Sequence, residues 1–340
     1  MKFLLNGYFG FDNAGDEAVL AAMLADLRSL APDAVFVATS GNPEQTRQTH
    51  GCEAIGRQNP RELLSAIQGC DVFISGGGSL VQDVTSFRNV VYYTTLLRLA
   101  KMLGKKTMVY AQGVGPLNSS KSRKLARAMF QNADVVTVRD PDSANLLREI
   151  GVSREAEITA DPVWNLPFEA QPKRAKTWGV ALRSWPGAPD NSLPRLVGAL
   201  RATANSQNAT LRFLPMQPGP DNEILAGLVN AGEILETRGA SPGEILALAA
   251  SFDLMIAMRL HALIFAASAG VPVVALNYDP KVASLATLLG APLLQSPSAS
   301  DLATLPRLVS EAKPIAPPIL EDFRAKARRN AELAVGLASK

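Results

Sequence analysis

Short apolar runs alternate with helix-like stretches along nearly the whole chain, and this limits the fold more than any other feature. The runs of the first half are Phe3-Leu4-Leu5, Val35-Phe36-Val37, Val72-Phe73-Ile74, Thr107-Met108-Val109-Tyr110 and Val135-Val136-Thr137-Val138. Helical patterns over Glu17–Leu30, Pro60–Gln68, Val90–Leu103 and Ser122–Asn132 separate them. A second set follows: Trp178–Leu182, Leu211–Leu214, Leu254–Ile256 and Val273–Leu276. Strands that alternate with helices pair in parallel, and helices cover both faces of the sheet. The 340 residues exceed one usual core. Asp161–Pro167 and Gln171–Arg174 are proline-rich and lack periodicity, as a linker does. The expectation is therefore an α/β protein of two doubly wound, Rossmann-like domains, 1–168 and 169–340. Whether the last helix packs back on the first domain is left open.

Open parallel sheets bind ligands beyond the carboxyl ends of their strands. The unusual motifs fall there: Gly7 to Glu17, Ser75 to Leu80, Gln112 to Pro116, Arg139-Asp140, Arg183-Ser184-Trp185, Met216-Gln217-Pro218 and Met258 to His261. Two such edges facing a cleft would make a GT-B-like glycosyltransferase architecture.

Gly76-Gly77-Gly78-Ser79 suits a phosphate or carboxylate cradle at a helix start, and equally a tight strand-to-helix turn. It is neither a Walker loop nor a dinucleotide fingerprint. Asn13-Ala14-Gly15-Asp16-Glu17 reads as a helix cap or, through Asp16, as a carboxylate for a sugar hydroxyl. Arg139 offers a planar fork for an anion, while Asp140 or Asp142 caps the next helix. Arg259-Leu260-His261 and Asp279-Pro280-Lys281 set two cations beside a histidine. Such a group holds a small, doubly acidic substrate and moves a proton, as for a phosphorylated enol acid; the bland alternative is solvated charges and a capping histidine. Gln112, Gly113, Arg183 and Gln217 join the candidate binding residues by position. His50, in a polar stretch, reads as surface.

Composition narrows the class. A 19% charged, 6% aromatic chain of net charge +3 encourages neither disorder nor nucleic-acid binding and tolerates an anionic ligand. Cys52 and Cys70 lack metal or redox spacing, so reduced, buried thiols in a cytoplasmic protein are expected, with no metal. The longest apolar run, 264–276, is broken by Ser268, Gly270 and Pro272, so no transmembrane segment is expected. Arg324, Lys326, Arg328 and Arg329 on the last helix are read as a solvated face, with peripheral contact to an anionic membrane as the alternative.

In one order, Asn13–Glu17, Ser75–Asp83, Tyr110–Pro116, Arg139–Ser143, Asp161-Pro162, Arg259–Ala262 and Tyr278–Lys281 resemble the polysaccharide pyruvyl transferase family over almost the whole chain. The likeness is greatest to the bacterial branch that puts pyruvate ketals on N-acetylmannosamine of secondary cell wall polysaccharide, the mark recognised in S-layer anchoring. No S-layer homology module is seen. The resemblance implies phosphoenolpyruvate as donor substrate, no cofactor, and a lipid- or nucleotide-linked glycan acceptor. It places the family's arginine, histidine and lysine on Arg139, His261 and Lys281, with Asp16 as the acidic residue. Arg259 would also neutralise donor charge, and His261 is the expected general acid. A glycosyltransferase using a nucleotide sugar and a non-catalytic sugar-phosphate binder are the rival readings. Location at the inner face of the cytoplasmic membrane and homo-oligomerisation are left open.

Overall fold

Each apolar run read from the sequence falls on a strand in the computed structural model, which describes residues 1–185, 188, 191–296 and 298–339. Two units emerge. The first comprises Met1–Phe11, Asp16–Pro167 and the stretch from Glu321 onward; the second comprises Asp12–Gly15 and Phe168–Leu320.

In the first unit the strands are β1 (Lys2–Phe9), β2 (Val35–Ser40), β3 (Glu53–Gly56), β4 (Val72–Gly76), β5 (Lys106–Gln112), β6 (Val135–Val138) and β7 (Glu157–Ile158). All pair in parallel, in the order β3-β2-β1-β4-β5-β6-β7. The order reverses between β1 and β4, as in a dinucleotide-binding sheet. Leu4 lies beside Val37 and Phe73, and on that face the strands meet Leu63, Ile67, Leu97 and Phe130 of the covering helices. Burying each such side chain contributes about 1.5–3 kcal/mol, which is why these strands carry apolar residues with little alternation.

The second unit holds β8 (Thr177–Ala181), β9 (Thr210–Phe213), β10 (Leu254–Ala257), β11 (Val273–Leu276) and β12 (Leu293–Leu294), parallel in the order β12-β11-β10-β8-β9. Its order reverses between β8 and β10. The fold is thus α/β with two parallel, Rossmann-like sheets.

Three expectations need correction. β1 runs on through Gly7 to Phe9; a Cβ on Gly7 would run into the Phe9 ring, so the glycine makes room for it. Gly76–Ser79 does not open a helix: the next one, Phe87–Met102, starts well beyond it with Ser86 as its cap. Asp161–Pro167 is not a bare linker, because Pro162–Asn165 forms a buried 3-10 turn with Trp164 stacked 4.5 Å from Phe323.

That phenylalanine lies on the last helix, Pro317–Ala338. Asn330 fixes this helix from its buried face: Nδ2 donates to Ala160 O at 3.1 Å, and Oδ1 accepts from Thr137 Oγ1 at 2.6 Å and Thr159 Oγ1 at 2.8 Å. Arg324, Lys326, Arg328 and Arg329 are exposed on the other side, in keeping with a solvated face. No helix among the described residues is long and apolar enough to cross a membrane.

Candidate functional site

In the second unit the point where strand order reverses lies between β8 and β10. The segments leaving β8, β10 and β11 carry Arg183, His261 and Lys281, from three adjacent strands and one edge of the sheet. His261 is half-buried in the first turn of the helix Leu260–Ser268, whose cap residue Arg259 makes no side-chain cap bond. Its ring lies against the backbone of Gly15. A Cβ on that glycine would come within 2.6 Å of the His261 Cγ and 2.9 Å of Cε1, and closer still to Nδ1.

The loop that supplies Gly15 is held by a chain of polar contacts. Asn13 Oδ1 accepts from Gly15 N at 3.1 Å, and Ala14 N donates to Met216 O at 2.7 Å. Met216 N and Gln217 N donate to Asp221 Oδ2 at 3.0 and 2.9 Å, and the other Asp221 oxygen accepts from the Arg259 guanidinium. Asp221 is 1% exposed and Arg259 9%. A buried pair of this kind is costly to break from one side. The structure therefore places Arg259 as a support for the turn against which His261 rests, with its charge balanced inside the protein. Asp221 carried no signal in the sequence, since a lone aspartate after a Pro-Gly-Pro turn reads as surface.

Lys281 lies at the start of the helix Pro280–Leu289, capped by Asp279, whose carboxylate is 3.3 Å from Nζ. Tyr278 sits between two cations: the Arg183 guanidinium is 5.3 Å and Lys281 Nζ 5.7 Å from its ring centre. Arg183 Nη1 donates to the Tyr278 hydroxyl at 3.3 Å, and Trp185 tilts against the ring at 6.5 Å. Arg183 and Lys281 are the half-buried cations of this group and can still meet an anion. Gln217 caps the helix Pro218–Ala226 by position alone.

The first unit carries a different cluster beyond β4, β5 and β6. Gly77 and Gly78 have φ of +63° and +70°, which only glycine adopts at no cost. Added side chains would also collide, with Val19 at Gly77 and with Asp16 Oδ1, 2.9 Å away, at Gly78. Gly77 N donates to Tyr110 O and Gly113 N to Gly78 O, both at 2.9 Å, so the Gly76–Ser79 and Gln112–Pro116 turns are tied together. Gly76 is the last residue of β4.

Arg139 lies against Gly113, where a Cβ would be 2.7 Å from Nη2. Nη1 donates to Asp161 Oδ2 and Nη2 to Ser79 Oγ, both at 2.9 Å, and Asp140 Oδ2 is 3.7 Å from Nε. The guanidinium is thus buried and already faces a protein carboxylate. Asp140 is the helix cap, accepting from Ser143 N at 2.7 Å. Gln112 is fully buried, and neither atom of its amide has a hydrogen-bond partner; a buried polar group in that state calls for an explanation.

Asp16 is half-buried beside Gly78. Its neighbour Glu17 is structural: Oε1 accepts from Gly10 N at 2.7 Å and Oε2 pairs with His50 Nε2 at 2.9 Å. His50 is accordingly buried, correcting its reading as surface; its partner lies 33 residues away, beyond any local pattern. Sequence reasoning also passed over Arg57, whose guanidinium lies 4.5–5.8 Å from the ring centres of Tyr8, Phe11, Tyr92 and Tyr93. Tyr8 and Phe11 stack at 4.3 Å. Burial, with the Asp16 charge second, raises the Tyr8 hydroxyl above its ordinary pKa.

Cys52 is half-buried and Cys70 buried, and burial pushes both thiols up to about 11, so neither is a nucleophile near neutrality. Among the described residues no group of histidine, cysteine and carboxylate is placed to hold a metal.

Comparison with known proteins adds the following. A search of curated proteins finds no match to the chain. Solved structures of similar fold include the UDP-GlcNAc 2-epimerase of Neisseria meningitidis bound to UDP-GlcNAc, at 14% identity and TM-score 0.63, covering 99% of both chains. The UDP-GlcNAc 2-epimerase of Methanocaldococcus jannaschii gives 12% and 0.62, covering 98% of this chain and 99% of that one. The UDP-N-acetylglucosamine 2-epimerase of Rickettsia bellii gives 11% and 0.64, with 100% and 96%. At such identities the likeness is one of fold, that of GT-B-like proteins with two Rossmann-like domains. The sequence model of the polysaccharide pyruvyl transferases matches residues 13–280, a span that takes in the Asn13 loop, both glycine turns, Arg139 and His261. The chain belongs to the polysaccharide pyruvyl transferase family.

Proposed function

We propose that this protein transfers the pyruvyl group of phosphoenolpyruvate to two hydroxyls of one sugar, N-acetylmannosamine in a secondary cell wall polysaccharide precursor, and releases phosphate. The observation that carries the reading is the grouping of His261, Arg183 and Lys281 on three adjacent strands at the reversal point of the second sheet. Phosphoenolpyruvate carries a carboxylate and a phosphate, for which Arg183 and Lys281 supply charge. Its C3 must gain a proton before C2 accepts an oxygen, and an imidazolium at His261 gives that proton. The first hydroxyl adds to C2, the C2–O bond to phosphate breaks, and the second hydroxyl adds in its place. Of the two hydroxyl protons released, one restores His261 and the other leaves with phosphate. Arg259, paired with Asp221, is assigned a positioning role. Family resemblance assigns Arg139 and Asp16 to donor and acceptor, roles that turnover of Arg139→Met and Asp16→Asn would test.

Donor exchange decides the matter. Incubated with phosphoenolpyruvate and a lipid- or nucleotide-linked glycan precursor, the enzyme should release phosphate and raise the glycan's mass by pyruvate less water. Release of a nucleoside diphosphate from a sugar nucleotide, with phosphoenolpyruvate untouched, would instead establish the glycosyltransferase reading. Binding of phosphoenolpyruvate without turnover would leave a sugar-phosphate binder. The reading places the enzyme in the cytoplasm, where phosphoenolpyruvate is made.

A further inference from the structure

Between Asp83 and Asp134 the chain runs for 50 residues with nine lysines and arginines and no acidic residue. The whole chain is only +3, so the remainder is net acidic. In the first unit this stretch forms two helices, Phe87–Met102 and Ser120–Asn132, that pack side by side on one face of the sheet. Their inner sides are apolar and buried through Val90, Leu97, Ala126 and Phe130.

The outer sides are unlike an ordinary solvated surface. On the first helix Phe87, Arg88, Val91, Thr95, Arg98 and Met102 are exposed, spaced by three or four, and so form one stripe. Val84 precedes it at 52% exposure; Phe87 is 42%, Val91 37% and Met102 72% exposed. On the second helix Lys121, Arg123, Lys124 and Arg127 are exposed. An intrahelical carboxylate would normally intersperse such cations; here there is none. Large apolar side chains grouped on a surface mark a contact site.

We propose that this two-helix face docks on an anionic lipid bilayer, with Val84, Phe87 and Val91 entering the headgroup boundary and the surrounding cations meeting lipid phosphates. Basic residues alone would suit any polyanion. The exposed apolar stripe selects a lipid surface, because a soluble polyanion gives those side chains nothing to bury against. The stripe sits beside the Gly76–Ser79 turn in sequence, so docking would hold that end of the sheet near a membrane-borne glycan. The proposal does not depend on the donor chemistry, and its readout is binding, so it can fail while the transferase reading stands. It also moves any membrane contact away from the last helix, whose Lys326 and Arg329 pair with Asp322 and Glu157.

Sedimentation of the whole chain with vesicles tests it. Vesicles of phosphatidylglycerol and phosphatidylcholine should pellet the protein, vesicles of phosphatidylcholine alone should not, and added salt should release it. Near an anionic surface each cation is worth about five-fold in partitioning, so R88Q/K121Q/K124Q should weaken binding on the order of 10²-fold. F87S/V91S should also lose binding. All five positions are exposed, so the fold, read by circular dichroism, should be kept. Absence of pelleting by the anionic vesicles would overturn the proposal, as would binding indifferent to both variants. Full binding by F87S/V91S with loss in the cation variant would replace the bilayer with a soluble polyanion.

Discussion

Gly15→Ala separates a catalytic His261 from one that merely fills space. Gly15 lies in the first turn of the helix Ala14–Leu30, and its φ is not positive. On backbone grounds alone alanine there should be neutral or favourable by up to about 1 kcal/mol. The obstacle is the imidazole: a Cβ would stand 2.6 Å from Cγ, where ordinary contact begins at 3.4 Å, and the overlap with Nδ1 is greater. The ring must retreat by about 1 Å, and a catalytic group misplaced by that much costs about 10²-fold in rate. Relief of the clash costs about 1–3 kcal/mol of stability, as overpacking usually does. The assay is phosphate release with phosphoenolpyruvate varied, beside a thermal melt. We expect kcat to fall about 10²-fold with little change in KM, in a folded protein. A kcat within a few-fold of the parent would show that the position of His261 does not limit the chemistry, and its assignment as proton donor would go with it.

Three other predictions concern contacts inside one unit or the other. Asp221→Asn strands the buried Arg259 charge and loosens the Met216 and Gln217 amides, so it should cost about 3–5 kcal/mol in urea denaturation; a loss under about 1 kcal/mol would mean that solvent reaches the pair. Asn330→Leu strands Ala160 O and leaves the Thr137 and Thr159 hydroxyls only their longer bonds to Val109 O and Val138 O, so it should cost about 1–3 kcal/mol. Hydrogen exchange over Pro317–Ala338 should quicken, and unchanged protection there would contradict the anchoring role. Asp134, although burial acts to raise it, is held below its ordinary pKa by hydrogen bonds from Lys101 and Thr107. Its stabilisation is present above the unfolded-state pKa, about 4, and lost as pH falls through the lower folded value. The Tm of Asp134→Asn should thus trail the parent at neutral pH, with the gap closing on acidification; a gap constant down to strong acid would disprove it.

The sheets were legible because their cause is local. Strands covered on both faces must be apolar throughout, so runs such as Val72-Phe73-Ile74 mark themselves, and alternation with helices then dictates parallel pairing. What escaped were elements too short to have a pattern: β7 and β12 have two residues each at sheet edges, where one neighbour supplies most of the register. The turn at Pro162–Asn165 escaped for another reason. Prolines and a lone tryptophan read as a linker until Phe323, some 160 residues on, supplies the ring that Trp164 stacks on.

At the site, residue types were legible and their partners were not. Arg139 and Arg259 stood out as forks at strand ends, and both were expected to meet a ligand's charge. Each also meets a buried aspartate, Asp161 or Asp221, from another segment of the chain. No periodicity links the partners, because an ion pair between loops is set by the fold and leaves no trace in spacing. The pairing changes what the arginines can do. A guanidinium committed to a carboxylate on one edge is fixed in orientation, and it adds little net charge for an incoming anion. Net positive potential at the second sheet's reversal point then rests chiefly on Arg183, with Lys281 beside it around Tyr278 sharing its charge with the Asp279 carboxylate. Loss of either should therefore raise the KM for an anionic donor, whereas loss of Arg259 should act through stability and through the position of His261, lowering kcat. That split between KM and kcat is how a binding cation and a positioning one are told apart.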